Sequence, residues 1–334
     1  MLETVSKGTP QYAIAYLYET VSYCGVAIFG IITGFVSCSR TMKNEKRLGR
    51  FLGLWLEVVF YSLLLTISIS LMTAQPVDAR RIIECFFPIA GQTYWYFSTY
   101  FILFLIIPYL NKTVLENTAL QNTTLLCFAA IMLYYSHTLT GLFAISMLTF
   151  FYIIGALIRK YNIQYVISKG KCAMCYFTLL ILTYLWTVVV KPTNSALGGI
   201  LLRYDSPTVI GMAFCMVVFF AKMNSVPKVL DGLSSLGESA FAIYLINDNP
   251  LFRACFIENK IAAVSDKTFR LLFLIPVVSV LFSIVCILFD RIRIKLFNWL
   301  HVSVIQDRLY ELWNQFTQLM CKYFCLLIMK NKES

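Results

Sequence analysis

The sequence predicts an all-α fold, a polytopic bundle of about nine transmembrane helices followed by a C-terminal amphipathic helix. Three observations carry that prediction. Hydrophobic residues make up 59% of the 334 residues and charged residues 13%, about half the ~25% charged share of soluble proteins. Mean hydropathy is +0.73. Apolar runs close to the length of a bilayer crossing recur along the whole chain, and lipid leaves their backbone N–H and C=O groups no partner outside a helix. A soluble core cannot hide so much apolar surface. That excludes an ordinary cytosolic enzyme, a secreted disulfide scaffold and a disordered chain.

The opening segment MLETVSKGTP lacks a basic n-region and a small-residue cleavage site, so it does not read as a cleavable signal. The spans are then Val21–Cys38, Phe51–Met72, Trp95–Leu110, Leu120–Ser136, Leu142–Ile158, Cys175–Val190, Thr208–Ala221, Ala240–Phe252 and Leu271–Phe289. Beyond Lys295, Ile305, Leu309, Leu312, Phe316, Leu319 and Tyr323 recur at three- and four-residue spacing, which predicts a helix lying on the membrane surface. A tenth span through Leu312–Met329 is the alternative, opposed by Asn314, Gln315, Gln318 and Lys322. The chain therefore divides into a transmembrane domain, 1–290, and a cytoplasmic amphipathic tail, 291–334.

Net charge is +11. The basic residues sit in short clusters between apolar runs, which reads as topology signal and lipid-headgroup contact, not nucleic-acid binding. Odd-numbered loops and the opening of the C-terminal segment, residues 291–295, carry fifteen Lys and Arg against eight in the even-numbered loops. Those loops are therefore expected in the cytoplasm, with the N-terminus outside. The eleven cysteines are odd in number and irregular in spacing, which argues against a disulfide framework. Cys172 and Cys175 form a C-x-x-C without a second pair or a nearby His, so they read as packed thiols and no metal is expected.

Charges and polar clusters inside spans are functional candidates. Glu57 lies about two turns into the second span. If that helix starts a turn early, Arg47, Arg50 and Glu57 share one face. Such a pair of guanidinium groups suits phosphate oxygens, with Lys46 adjoining; the plainer reading is topology, with Glu57 paired to one arginine. In ESAFAIYLINDNPLFR, Asn247, Asp248 and Asn249 crowd together and Pro250 should kink the helix. They face either a cavity or a turn at the interface. Tyr94, Trp95, Tyr96 and Tyr100 open the third span as an interfacial belt or as stacking faces for sugar rings. His137, in YYSHTLTG, reads as a turn residue and not a base, and no nucleophile–base motif is present.

Several segments resemble the integral-membrane acyltransferase family of the acyltransferase 3 type, whose bacterial members O-acetylate surface polysaccharides. GVAIFGIITGFV (Gly25–Val36) is similar to its second-helix pattern, with Thr33 for the usual Ser before Gly34 and Phe35. KRLGRFLGLWLEVVF is similar to its basic approach to the third helix, with Arg47 and Arg50 in the matching places. YWYFSTYFILFLIIPYLNK (Tyr94–Lys112) resembles an aromatic helix ending Pro-x-Leu-Asn, and FAIYLINDNPLFR resembles a late-helix Ile-Tyr-Leu-Ile-His-x-Asn-Pro. The family's first helix and its His have no counterpart here, and the late-helix His is Asn247. This implies either a chain truncated at its start or a degenerate, inactive homologue.

The resemblance implies a membrane acyltransferase in the bacterial inner (plasma) membrane. It would take acyl-CoA, with acetyl-CoA first, as co-substrate at Arg47, Arg50 and Lys46. The acceptor would be a hydroxyl of a polysaccharide or lipid-linked glycan near Tyr94, Trp95, Tyr100, Asn247 and Asn249. Glu57 and Asp248 are weak catalytic candidates. The alternative is a non-enzymatic transporter of a glycan or lipid-linked sugar.

Overall fold

The computed structural model describes residues 7–38, 44–74, 76–89, 91, 93–138, 141–223, 237–258 and 268–330; of these, 44–47, 50, 268, 269, 321 and 323–330 are described by backbone alone. The described residues form helices and turns without a strand. The helices are α1 (Pro10–Tyr23), α2 (Gly25–Ser37), α3 (Asn44–Thr73), α4 (Ala79–Phe86), α5 (Trp95–Glu116), α6 (Ala119–Tyr135), α7 (Phe143–Lys160), α8 (Ile163–Val166), α9 (Lys169–Val190), α10 (Ser195–Gly199), α11 (Pro207–Ala221), α12 (Ala240–Asp248), α13 (Pro250–Phe252), α14 (Thr268–Trp299) and α15 (Val302–Lys330). Among the described residues, six stretches are long and apolar enough to cross a membrane: Pro10–Ser37, Phe51–Thr73, Trp95–Glu116, Phe143–Lys160, Lys169–Val190 and Arg270–Trp299; α6 and α11 are shorter and apolar. The protein is a multi-pass, all-α membrane bundle.

Several boundaries differ from those expected. The first helix starts at Pro10, not Val21. Thr9 caps it, its hydroxyl accepting from the Tyr12 N–H at 3.3 Å, and Pro10 supplies a preset φ at the first position. The tyrosines and Glu19 dilute hydropathy there and conceal the helix. The expected eighth span, Ala240–Phe252, is not one helix. Proline disfavours helical backbone at the residue before it, and Asn249 is extended (φ −61°, ψ 124°). The nine-residue α12 is thus separated from α13 and from a π-helical turn, Arg253–Ile257. The last span runs on past Phe289 to Trp299, with Arg291, Arg293 and Lys295 inside the helix. The short α4, capped by Asp78, was not foreseen.

The chain divides into two compact units. The first comprises Met1–Arg40, Tyr94–Leu233 and Arg253–Val280 and is built around α7, ten of whose residues are buried. A Cβ on Gly34 would lie 2.0 Å from the Tyr152 carbonyl oxygen, and one on Gly155 would lie 1.9 Å from that of Ile31. Only glycine allows α2 and α7 to come this close. Asn111 joins the same contact from α5. Its Nδ2 donates to the Ser37 carbonyl at 3.1 Å, and its Oδ1 accepts from the Tyr152 hydroxyl at 2.6 Å.

The second unit comprises Thr41–Thr93, Ser234–Phe252 and Leu281–Ser334. Here α3 packs against α4, α12 and α15. Ile305, Leu312, Phe316 and Leu319 of α15 are exposed, so the apolar stripe read in the tail is not covered by protein.

Candidate functional site

In the second unit α3 carries a seam of buried polar side chains: Glu57, Tyr61, Ser62, Thr66 and Ser70. At 1.5 Å per residue the seam is about 20 Å long, most of the ~30 Å hydrocarbon layer. Buried polar groups are expensive in lipid unless they face protein partners or a water-filled path.

The Glu57 end of the seam is ionic. Asp290, fully buried on α14, accepts from the Tyr61 hydroxyl at 2.9 Å and from Arg293 Nε at 2.6 Å. Arg293 Nη2 lies 3.4 Å from Glu57 Oε1, close enough for an ion pair though without hydrogen-bond geometry. The guanidinium also sits 5.2 Å from the Phe297 ring centroid. Two carboxylates therefore share one cation, and Arg293 is committed to them. It is not available as a phosphate ligand.

Further along the seam, beyond Tyr61, a cavity of ≈ 230 Å³ is lined by Ser62, Thr66, Glu84, Thr93 and Asn249 together with Arg81, Cys85, Gly91, Pro250 and Leu251. The α4 helix supplies Arg81 and Glu84 because Asp78 caps it, accepting from the Arg80 N–H at 3.2 Å. The Asn249 side chain accepts from the Leu251 and Phe252 N–H groups at 3.1 and 3.2 Å, which fixes the turn forming the opposite wall.

Of the residues singled out in the sequence, Glu57 is buried and paired to Arg293, not shown against Arg47 or Arg50. Lys46, Arg47 and Arg50 fall within α3, which does begin early, at Asn44; their side chains lie outside the described residues. Asn249 is buried and in the cavity wall, Asp248 is half-buried at the end of α12, and Asn247 is exposed. Neither Asn247 nor Asp248 is among the cavity's lining residues. Tyr94, Trp95 and Tyr100 belong to the first unit. Tyr94 is buried and the other two are half-buried. Trp95 packs 6.3 Å from the Tyr204 ring, which stacks on Tyr23 at 4.6 Å.

Sequence reading missed the partners of Glu57. Asp290 closes an apolar run and resembles the start of a loop, and Tyr61 and Asp290 are 229 positions apart. The spacing of Ser62, Thr66 and Ser70 by four residues was a legible signal for a polar helix face. It also missed the company of His137, whose Nε2 lies 2.7 Å from Asp205 Oδ2, while Arg203 Nε and Nη2 donate to that carboxylate at 3.0 and 3.2 Å. The trio joins the turn after α6 to the segment before α11. Although burial pushes the Asp205 carboxyl up, the hydrogen bonds from His137 and Arg203 hold it below its ordinary value. Cys172 and Cys175 are free thiols.

The chain matches a family model described as an acyltransferase domain, of the acyltransferase 3 type, over residues 3–291. Neither the curated proteins nor the solved structures contain a match.

Proposed function

Since the chain belongs to the acyltransferase 3 family, we propose that it is a membrane O-acyltransferase that moves an acyl group, acetyl first, from cytoplasmic acyl-CoA to a sugar hydroxyl of a surface or exopolysaccharide, in the inner (plasma) membrane. The observation that carries this reading is the buried polar seam of α3 from Glu57 to Ser70. A helix serving only as an anchor has no use for it, whereas a transfer across the bilayer needs polar lining at depth. The Asn249 cavity lies along the seam, and by the Lys/Arg bias of the loops its end faces outward.

In the transfer, the acceptor oxygen bonds to the thioester carbonyl carbon, the carbon–sulfur bond breaks, and the hydroxyl proton leaves so that CoA departs as thiol. This chain's own share would be to position the reactants. Arg47 and Arg50, three residues apart on α3, are the guanidinium groups we assign to the donor's phosphates, because Arg293 is taken up by its carboxylates. The test is Arg47→Ala combined with Arg50→Ala in isolated membranes. CoA-dependent acylation of the glycan should fall to background while glycan export is unchanged. Acylation that survives the double substitution would remove the donor assignment.

A further inference from the structure

We propose that α15 is a docking surface for a second copy of this chain, the two α15 helices pairing in parallel as a two-stranded coiled coil. The inference stands apart from the transferase reading. Val302, Ile305, Leu309, Leu312, Phe316 and Leu319 alternate at three- and four-residue spacing, and the sequence continues that register through Tyr323 and Leu326. This is a strict seven-residue repeat with an apolar residue at every a and d position. A repeat sustained over more than three heptads is what a coiled-coil seam requires. At 1.5 Å per residue the seam is about 36 Å long.

The seam faces away from the rest of the chain. Ile305, Leu312, Phe316 and Leu319 are 48, 60, 57 and 67% exposed. A different strip of the helix is half-buried, formed by Gln306, Tyr310, Asn314 and Thr317, with Gln306 against Gly53 of α3. At 3.6 residues per turn that strip lies about a third of a turn round from the seam. α3 and a partner helix can therefore occupy α15 together.

Charge selects the occupant. Between Val302 and Met320 the charged residues are Asp307, Arg308 and Glu311, a net charge of −1. A helix held on an anionic lipid leaflet carries lysine and arginine on its polar face. The face opposite the seam here carries Asp307, Glu311, Asn314 and Gln318 instead. Charge also sets the orientation, through the positions that flank the seam. Antiparallel pairing in this register would bring Arg308 against Lys322 of the partner subunit, a like-charge contact that disfavours it. Parallel pairing sets Arg308 beside Trp313 of the partner subunit, where the guanidinium can lie on the indole face.

The experiment uses the full chain in its membranes and in detergent. In membranes treated with copper phenanthroline, Leu312→Cys should form a disulfide-linked dimer well above the unsubstituted chain, because d positions face each other across a parallel seam. Gln318→Cys, on the opposite face, should stay at the level of the unsubstituted chain, whose own Cys321 and Cys325 fall outside the seam positions. In detergent the unsubstituted chain should sediment as a dimer. Leu312→Glu combined with Leu319→Glu should raise its dissociation constant about tenfold or more. Cross-linking of Leu312→Cys no greater than that of Gln318→Cys overturns the pairing. So does an unsubstituted chain that is monomeric, or a dimer that the double substitution leaves unchanged. If the doubly substituted chain fails to fold, the two cysteine variants decide alone. A bimane on Leu312→Cys that is quenched by brominated lipids in vesicles, without cross-linking, would give the face to lipid and overturn the second copy as its occupant.

Discussion

Arg293 holds the balance of charge inside the second unit, because two buried carboxylates depend on its one guanidinium. Removing the shared cation leaves Asp290 and Glu57 without compensation, and breaking a buried pair in this way typically destabilises by about 3–5 kcal/mol. Arg293→Gln should therefore lower the thermal transition of the purified protein sharply. Glu57→Gln should not: Arg293 keeps its 2.6 Å bond to Asp290, and one of two competing negative charges is gone, so stability should stay within about 1 kcal/mol. A Glu57→Gln protein as unstable as Arg293→Gln would show that the carboxylate, not the shared cation, organises the cluster. Asp205 works differently, at a partly exposed site. Its carboxyl titrates below the ordinary value of 3.8, so its contribution is complete above that pH and disappears as the pH falls through the depressed value. Arg203 is 47% exposed, which limits the contribution to about 1 kcal/mol. Chemical unfolding should show Asp205→Asn weaker than wild type at pH 7 and indistinguishable from it once the pH is below the Asp205 value. A deficit that persists there would assign the effect to packing.

Among the helices, the α2–α7 contact leaves least room for change. Gly34 and Gly155 each place a would-be Cβ about 2 Å from the partner's backbone, where no side chain can swing away. Gly155→Ala must push the helices apart, and overpacking of this kind costs about 1–3 kcal/mol; size-exclusion profiles after heating should show earlier loss of the folded peak. Gly25→Ala, with open space around its Cβ, is the control and should behave as wild type. An unaltered Gly155→Ala would mean that the two helices are not packed this closely. The same contact explains what could be read in the sequence. Segments Gly25–Val36 and Tyr94–Lys112 were recognisable as family patterns, and their Gly34 and Asn111 turn out to lock α2, α5 and α7 together. Most spans were legible because lipid enforces long apolar runs. The α1 start and the α12–α13 break were not, since a local cap and a proline decided them against the hydropathy. Of the site, Glu57 and Asn249 were legible as polar residues in apolar surroundings. Asp290, Tyr61 and Arg293 were not, because their meaning comes from a contact between distant helices.

For the molecule as a whole, the proposed chemistry has a direction, and the direction follows from charge. Lys and Arg favour the odd-numbered loops and residues 291–295 over the even-numbered loops by fifteen to eight, and cytoplasmic loops collect such residues. The segment between α8 and α9 should then be inside, and the α3–α4 segment outside. The Glu57 end of the α3 seam would face the cytosolic donor and the Ser70 end the acceptor. Lys169, the first residue of α9, and Arg80, in the first turn of α4, are exposed positions bordering these segments. In intact cells expressing Lys169→Cys or Arg80→Cys, a membrane-impermeant maleimide should label Arg80→Cys above the level of the unsubstituted chain. It should reach Lys169→Cys only after the membrane is permeabilised. The opposite pattern would turn the cavity toward the cytosol. The transfer would then have to run to a lipid-linked precursor on the same side as its donor.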